Sequence, residues 1–478
     1  MSLVHWVVVL WSAPSVDGLS ISPNGGGRRR VVVVGAGVGG LAVAARVAAA
    51  TNAQVLILEK NAEAGGRCGS FERTTTQGTY RHERGPSLLL LPEIYRDLFR
   101  DCNEPCPFEI KPCIPAYQVV FDDGDCIDLG FSKQRQGAAN DSVTAPAEET
   151  SRAKMDTLEH DGAAKWDEYM AACAAFLDCG LSNFIEERFD LGSFPAFLYQ
   201  ALRKGAKAWP LKPHSDVLDA TFQSTKMRAL ASFQDLYVGL EPYRNNRQWF
   251  GGILQSTAPA VFGLLAAIEL HPTNAKCGVF APVGGFAAVT AGIEKLATDL
   301  GVDIQCNATV AKITQDGVYY RGKNDATGSV AQFEPADLVI VNADLPYATQ
   351  TILLDDIDDR SDSTSSDRFD WDDKYIFSSG VIAFHWSVDK ELTDLNTHNV
   401  FLSAGSLADA KASWKTLRDT QNTTDSLSDA PFNFYVHSAS KTDPTSAPKV
   451  IQWQQLKSTV SSQLFGTIEA LLVIRSSH

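Results

Sequence analysis

The 478-residue sequence predicts an α/β fold built on a parallel sheet, with an α+β region inserted into it. The β-branched run Val31–Val34 leads through glycines into a helical stretch and then into a second apolar run, Gln54–Lys60. This is the strand–helix–strand order of a parallel unit. Much later, Leu338–Val341 is another continuous apolar strand, so we expect the chain to leave this sheet and return to it.

The turn after the first strand carries Gly35, Gly37 and Gly40 in G-x-G-x-x-G spacing, with a further glycine at Gly39. The first glycine permits the tight turn, and the second lets the backbone approach a diphosphate closely. The third lets the predicted helix, from about Val38 to Ala50, pack tightly on the sheet. The free N–H groups at the start of that helix favour an anion. The motif therefore predicts a Rossmann-like dinucleotide-binding domain.

An acidic residue stands where the second strand ends. Glu59 lies nineteen residues beyond Gly40, where a carboxylate can hold the ribose hydroxyls of a dinucleotide. We include its neighbour Lys60 among the expected cofactor-binding residues. A glycine-rich turn without a ligand is the alternative, and the strand–helix context together with the acid argues against it.

A second glycine pair, Gly65 and Gly66, precedes Arg67 directly beyond the second strand. This placement resembles flavoproteins of the amine oxidase and phytoene desaturase superfamily, in which such a pair and an arginine embrace the FAD diphosphate. Glu83–Pro92 resembles that superfamily's next loop, which runs beside the flavin. The resemblance implies FAD as the cofactor, and we expect Gly66, Arg67 and, later in the chain, Val310 to contact it. A surface turn with a solvated arginine is the alternative.

Segments well beyond the dinucleotide motif resemble phytoene desaturases of the bacterial and fungal type, over about Val31 to Pro448. They follow in the family's order: Leu211–Tyr243, Ala258–Leu270, Asn342–Ala348, His398–Leu402 and Phe434–Pro448. The resemblance implies an FAD enzyme of carotenoid synthesis that removes hydrogen from a lipophilic polyene, phytoene, with oxygen or a quinone as electron acceptor. A carotenoid cis–trans isomerase, an amine oxidase-like oxidoreductase and a non-catalytic lipid carrier on the same scaffold are the alternatives.

The sequence does not identify the catalytic base. The candidates are titratable residues in or beside the family-like segments, each with a structural role as the alternative: Glu83, Glu269, His385 and Asp443. We expect the substrate tunnel to draw on Val261–Leu270 and on the aromatic residues around Phe384 and Trp386. The nine cysteines match no zinc-binding spacing, so we expect reduced thiols and no metal site.

The segment Phe194–Lys212 combines large apolar side chains with four cations and no acid, in a chain of formal net charge −15. It suits an interfacial helix on anionic lipid, and an amphipathic core helix is the alternative. Because the implied substrate is lipophilic, we expect peripheral membrane association here. The net negative charge and the lack of a basic arm argue against a nucleic-acid partner. The apolar run Leu3–Ala13 is either a targeting segment, for a plastid or another organelle, or a stray extension.

The predicted organisation has a discontinuous FAD-binding domain, an inserted α+β substrate domain and a helical membrane-facing region. Its boundaries are residues 1–30 (extension or targeting segment), 31–130 (FAD-binding domain, first part), 131–278 (helical substrate region, with a loop or disordered insertion at 131–152), 279–350 (return to the FAD-binding domain), 351–448 (substrate domain, second part, with an acidic loop at 355–373) and 449–478 (atypical tail). The family ends in a glycine-rich strand and helix that contact the flavin. Because the tail carries no such element, we expect weakened FAD retention and impaired activity.

Overall fold

The computed structural model describes residues 28–131, 141–181, 195, 199–200, 203, 212–238, 242–243, 260, 263–322, 331–353, 371, 380–388, 392–419, 431–450, 463–464 and 467–474. The targeting-segment prediction, most of Phe194–Lys212 and most of the acidic loop lie outside these residues. Within them, no helix combines the length and the apolar character needed to cross a membrane. The nine cysteines all lie in this part of the chain and none of them forms a disulfide.

The strands are, in chain order, β1 (Arg30–Val34), β2 (Gln54–Leu58), β3 (Ser70–Thr75), β4 (Gly78–Glu83), β5 (Ile110–Pro112), β6 (Tyr117–Phe121), β7 (Cys126–Leu129), β8 (Phe280–Pro282), β9 (Asp303–Gln305), β10 (Ala308–Ile313), β11 (Gly317–Gly322), β12 (Gln332–Pro335), β13 (Leu338–Val341), β14 (Gly380–Ser387), β15 (His398–Leu402), β16 (Phe434–His437), β17 (Lys449–Val450), β18 (Gln463–Leu464) and β19 (Thr467–Ile474). The described α-helices of six or more residues are α1 (Val38–Ala50), α2 (Pro92–Asp101), α3 (Asp141–Leu158), α4 (Gly162–Gly180), α5 (His214–Thr221), α6 (Thr225–Leu230), α7 (Gly263–Leu270), α8 (Gly285–Asp299) and α9 (Leu407–Asp419).

A four-stranded sheet of order β13-β1-β2-β9 carries the dinucleotide motif, and every neighbouring pair in it is parallel. The return of β13 beside β1 confirms that the chain re-enters this sheet. The valines of β1 are buried on both faces, as expected for a parallel sheet. Val31 and Val33 pack with apolar residues of α1 and α8, while Val32 and Val34 pack with residues of β10 and β11.

A six-stranded mixed sheet of order β14-β19-β16-β15-β6-β7 forms the second part of the protein. Its strands β6, β7, β15 and β16 share the largest apolar core with helices α3 to α7. The strand β19, which belongs to the predicted tail, lies between β14 and β16 and pairs antiparallel with both.

The prediction of a loop or disordered insertion at 131–152 was wrong from Asp141 onwards, because α3 spans Asp141–Leu158. Ser151 and Met155 are buried, and the Ser151 hydroxyl accepts a hydrogen bond from the Asp128 N–H at 3.3 Å. These buried positions are four residues apart, as on one face of a helix. A buried serine carries no apolar signal, so the helical period was not visible in the sequence.

Candidate cofactor-binding and active site

The glycine turn at the end of β1 leaves no room for side chains. Gly35 has φ +99°, and a Cβ added there would lie 2.6 Å from the Asn342 carbonyl oxygen. A Cβ added to Gly40 would lie 2.0 Å from the Gly35 carbonyl oxygen, because α1 starts directly against the turn. The close packing of helix on strand that the spacing predicts is therefore present.

A cleft of about 810 Å³ opens at the carboxyl ends of β1, β2 and β13. It is lined by seven of the nine residues that we predicted to bind the cofactor: Gly35, Gly37, Glu59, Lys60, Gly66, Arg67 and Val310. The other two do not line it. Gly40 is buried beneath the turn, and Gly39 is exposed. The volume lies within the range of about 300–1,000 Å³ that is typical of cofactor and ligand pockets.

The carboxylate of Glu59 is fixed at the floor of this cleft. It is 4% exposed, and its Oε2 accepts a hydrogen bond from the Ala36 N–H at 2.7 Å. Its Oε1 accepts from the backbone and side-chain nitrogens of Asn61, at 2.8 and 2.7 Å. Since a carboxylate oxygen accepts two hydrogen bonds, Oε2 keeps one position for a hydroxyl donor.

The second glycine turn lies directly against the first. The Gly65 N–H donates to the Ala36 carbonyl at 2.8 Å, and Gly37 and Gly65 form a parallel bridge. Both Gly65 and Gly66 have positive φ, at +108° and +59°, so glycine is favoured at each position. This contact brings Arg67 into the cleft beside the start of α1.

Two cations, Lys60 and Arg67, line the cleft together with two carboxylates, Glu59 and Asp344. The Arg67 side chain is exposed, and no described carboxylate lies within ion-pair distance of it. The Lys60 ammonium lies over the Tyr347 ring, 5.6 Å from its centroid. Together with the dipole of α1, these cations make the cleft suited to an anionic ligand.

The sequence analysis did not assign a role to Asn342 and Tyr347, which also line the cleft. Asn342 follows β13, and its N–H donates to the Val34 carbonyl at 2.8 Å. Its side chain covers the glycine turn, since a Cβ added to Gly37 would lie 3.2 Å from its Oδ1. The motif Asn342–Ala348 follows an apolar strand of the same parallel sheet. This position at the carboxyl end of the strand was the sequence signal that could have identified Asn342 and Tyr347 as cleft residues.

Two of the four candidate bases hold the start of α8. Glu83 accepts hydrogen bonds from the Phe286 N–H at 3.0 Å and from the Ser70 hydroxyl at 2.7 Å. Asp443 accepts from the Gly284 N–H at 2.8 Å and pairs with Arg81. Burial acts to raise the pKa of Asp443, but its hydrogen bonds and Arg81 outweigh burial and lower the pKa. Both carboxylates therefore have structural partners.

The other two candidates differ in their surroundings. His385 packs edge-on against Phe71, with ring centroids 4.9 Å apart. Glu269 on α7 is 1% exposed, and Gln234 Nε2 donates to its Oε2 at 3.3 Å. Burial raises the pKa of Glu269 to about 8, against the lowering effect of hydrogen bonds from Tyr117 and Gln234. Glu269 is thus a buried acid whose hydrogen-bond partners are neutral.

The aromatic residues expected to line a tunnel are only partly covered. Phe384 and Trp386 stack with ring centroids 6.0 Å apart and are 44% and 48% exposed. The other predicted wall of the tunnel was Val261–Leu270. Its residues from Gly263 onwards form α7, which packs in the largest core. The tunnel itself stays a prediction.

A family model described as an NAD(P)-binding Rossmann-like domain matches residues 33–105. Two solved structures share the fold. A protein of Pyrococcus furiosus has a TM-score of 0.52 and 16% identity over 93% of this chain and 80% of its own. An oxidoreductase of Methanosarcina mazei has a TM-score of 0.53 and 15% identity over 93% of this chain and 79% of its own. The fold is therefore an α/β fold with a Rossmann-like domain, which confirms these two parts of the predicted fold class. The membrane-facing helical region stays a prediction.

Several curated proteins resemble most of the chain. The phytoene desaturase of Neurospora crassa is 30% identical over 88% of this chain and 63% of its own length. That of Phycomyces blakesleeanus is 28% identical over the same shares. A zeta-carotene-forming phytoene desaturase of Myxococcus xanthus is 28% identical over 88% of this chain and 70% of its own. The chain thus spans less than two thirds of the two fungal proteins, and its predicted homology to phytoene desaturases is confirmed.

Proposed function

We propose that the cleft binds FAD and that the protein desaturates phytoene, or a closely related polyene, in carotenoid biosynthesis. The observation that carries the proposal is that one cleft is lined by two glycine turns, two cations and the buried Glu59 carboxylate, which is placed to bind ribose hydroxyls. The curated relatives named phytoene desaturases support the choice of reaction and substrate.

The residues present fit an adenine dinucleotide. The start of α1 and Arg67 would hold the diphosphate, because both offer N–H donors. Both lie beside glycines, and a side chain at these positions would occupy the space next to the backbone. Glu59 would hold the ribose through the free position on Oε2. Val310 and Tyr347 would border the remaining ring system. When bound, FAD supplies an acceptor for hydride from the hydrocarbon.

We further propose that the protein associates peripherally with a membrane through Phe194–Lys212. A polyene hydrocarbon dissolves in the bilayer, and the segment offers four cations without an acid. Oxygen or a quinone would reoxidise the flavin. The location in a plastid or another organelle depends on whether Leu3–Ala13 acts as a targeting segment.

Binding of the cofactor and the reaction can be tested separately. Calorimetry of the purified chain with FAD should show uptake, and Gly37→Asp should abolish it because a carboxylate would face the diphosphate. Expression in phytoene-accumulating bacteria should give products that are lighter by two hydrogens per step. A product of unchanged mass and altered geometry would instead indicate an isomerase, and FAD uptake without any product would contradict the desaturase proposal.

A further inference from the structure

A second cavity, of about 460 Å³, lies beside β7 at one edge of the six-stranded sheet. Its walls are β7, the helices α3 and α4 and the residues around the end of α7. It shares no lining residue with the cofactor cleft. Its volume lies within the range that is typical of small-molecule sites. We name this cavity the α3–α4 pocket.

The floor of the α3–α4 pocket is apolar. Leu129, Met155 and Met170 line it and are buried, because they also belong to the largest apolar core. Phe131 and Trp166 line it as well, and each is 8% exposed. The Trp166 indole N–H forms no hydrogen bond with the described residues, so it remains available to a ligand. Indole is also the aromatic ring that attracts cations most strongly.

Acidic groups outnumber basic ones around the same pocket. Three carboxylates and one guanidinium line it: Asp128, Glu148, Asp167 and Arg152. Arg152 on α3 is paired with Asp167 on α4, because its two terminal nitrogens donate to the two carboxylate oxygens at 2.8 and 2.7 Å. This ion pair joins the two helices and balances its own charge. The charges of Asp128 and Glu148 remain, so the pocket is negative.

The half-buried Asp128 carboxylate has no charged hydrogen-bond donor among the described residues. Asn396 Nδ2 donates to its Oδ1 at 3.3 Å, and no described group donates to its Oδ2. The Lys154 ammonium donates instead to the Cys126 carbonyl, at 2.6 Å. Burial raises the pKa of Asp128 against the lowering effects of Lys154 and Asn396. A carboxylate in this position favours a cationic hydrogen-bond donor.

The other polar groups of the wall supply no counter-charge. Glu148 lies one helical turn from Arg152 but forms no ion pair or hydrogen bond within the described part of the chain. Nδ1 of His271 accepts hydrogen bonds from the N–H groups of Thr273 and Asn274, at 3.1 and 2.9 Å. A ring nitrogen that accepts hydrogen bonds carries no proton, so the His271 ring is neutral.

We propose that the α3–α4 pocket binds an organic ammonium ion that carries an apolar group. Asp128 and Glu148 accept hydrogen bonds from the ammonium, and the apolar group lies against the indole of Trp166 and the sulfur-containing side chains of the floor. An anionic ligand would be repelled by the two carboxylates, and a neutral one would leave Asp128 without a counter-ion. This inference goes beyond the proposed function and does not depend on it, because the two cavities are separate.

Calorimetric titration of the full chain, with and without FAD, tests the ligand class. The probe is 2-phenylethylammonium chloride at pH 7, and 2-phenylethanol is the matched neutral molecule of nearly the same shape. The ammonium should bind about tenfold more tightly than the alcohol or better, because a charged hydrogen bond is stronger than a neutral one. Its dissociation constant should be the same with and without FAD, since FAD is expected in the other cavity.

Four variants locate the site of binding. Asp128→Asn and Glu148→Gln each remove one charge and keep the size of the side chain, so each should raise the dissociation constant, Asp128→Asn by about tenfold or more. Ala171→Phe places a ring at the exposed rim of the pocket and should block binding without altering the core. Glu149→Gln removes an exposed charge from the same helix, outside the pocket, and should keep wild-type affinity.

The outcomes separate this inference from the proposed function. Absence of binding, or equal affinity for the ammonium and the alcohol, overturns the proposed ligand class. Wild-type affinity in both Glu148→Gln and Ala171→Phe overturns the proposed site, and these exposed positions give that answer even if Asp128→Asn fails to fold. A chain that binds the ammonium but takes up no FAD would contradict the proposed function and leave this inference in place.

Discussion

The contact between α1 and the glycine turn allows a quantitative test with Gly40→Ala. The added Cβ would lie 2.0 Å from the Gly35 carbonyl oxygen, and ordinary contacts begin at 3.4 Å, so helix and turn must separate by about 1.4 Å. Neither partner can swing away, because both are backbone. Overpacking of this kind destabilises by about 1–3 kcal/mol. The same displacement moves the N–H donors of α1 away from the cleft, so FAD affinity should fall by about tenfold or more.

The assay for Gly40→Ala is urea denaturation of the FAD-free chain, followed by calorimetric titration with FAD. Gly69→Ala is the matched control, because a Cβ there meets only an Arg84 side-chain nitrogen at 4.0 Å. The control should keep wild-type stability and affinity. A Gly40→Ala protein with the free energy of unfolding and the FAD affinity of the wild type would refute the proposed packing of α1 against the turn.

Three other variants test the cofactor site, the acid stability of the fold and the membrane segment. Arg67→Ala should weaken FAD binding by about 1.5–3 kcal/mol in calorimetry, with unchanged urea stability because the side chain is exposed; unchanged affinity would remove Arg67 from the site. Asp443 has a lowered pKa in the folded protein, so its stabilising effect is present above its unfolded pKa and is lost as pH falls through the folded one. Asp443→Asn should therefore destabilise at pH 7 and reduce the acid-induced loss of stability, and a wild-type acid profile would contradict this. Replacing Arg203, Lys204 and Lys207 with glutamate should reduce the fraction of protein that floats with anionic liposomes, because the three cations become anions. Flotation equal to that of the wild type would count against the membrane segment.

The sequence alone was sufficient to predict those elements that local residue patterns specify. The helix Val38–Ala50 and the strand Leu338–Val341 have the predicted bounds, because glycine spacing and continuous β-branched or apolar runs specify them without reference to the rest of the chain. Seven of the nine expected cofactor-binding residues share one cleft for the same reason. Six of the seven belong to motifs that follow β1 and β2 at the carboxyl edge of the parallel sheet, a position that the strand–turn–helix order predicts. The seventh, Val310, lies on β10 of the antiparallel sheet that covers this edge.

Features that depend on contacts across the fold were not predictable in this way. The helix α3 buries a serine and a methionine where the sequence shows a polar, small-residue stretch. Glu83 and Asp443 were indistinguishable from Glu269 as candidate bases, because only their partners on α8 show that they are structural. The pairing of β19 between β14 and β16 joins segments without any shared sequence signal. Each of these outcomes is decided by which distant segments meet.

The late arrival of β13 has a consequence for synthesis on the ribosome. The Arg30 N–H donates to a carboxylate oxygen of Asp337, 307 positions later, and β13 completes the sheet beside β1. Until that strand emerges, β1 has β2 as its single strand neighbour in the described sheet. The strands β10 and β11, whose layer covers Val32 and Val34, also emerge only after residue 307. Such non-local closure is slow, and the uncovered apolar edge is prone to association. We therefore expect ribosome-bound chains shorter than about 340 residues to depend on chaperones and to be unable to retain the dinucleotide.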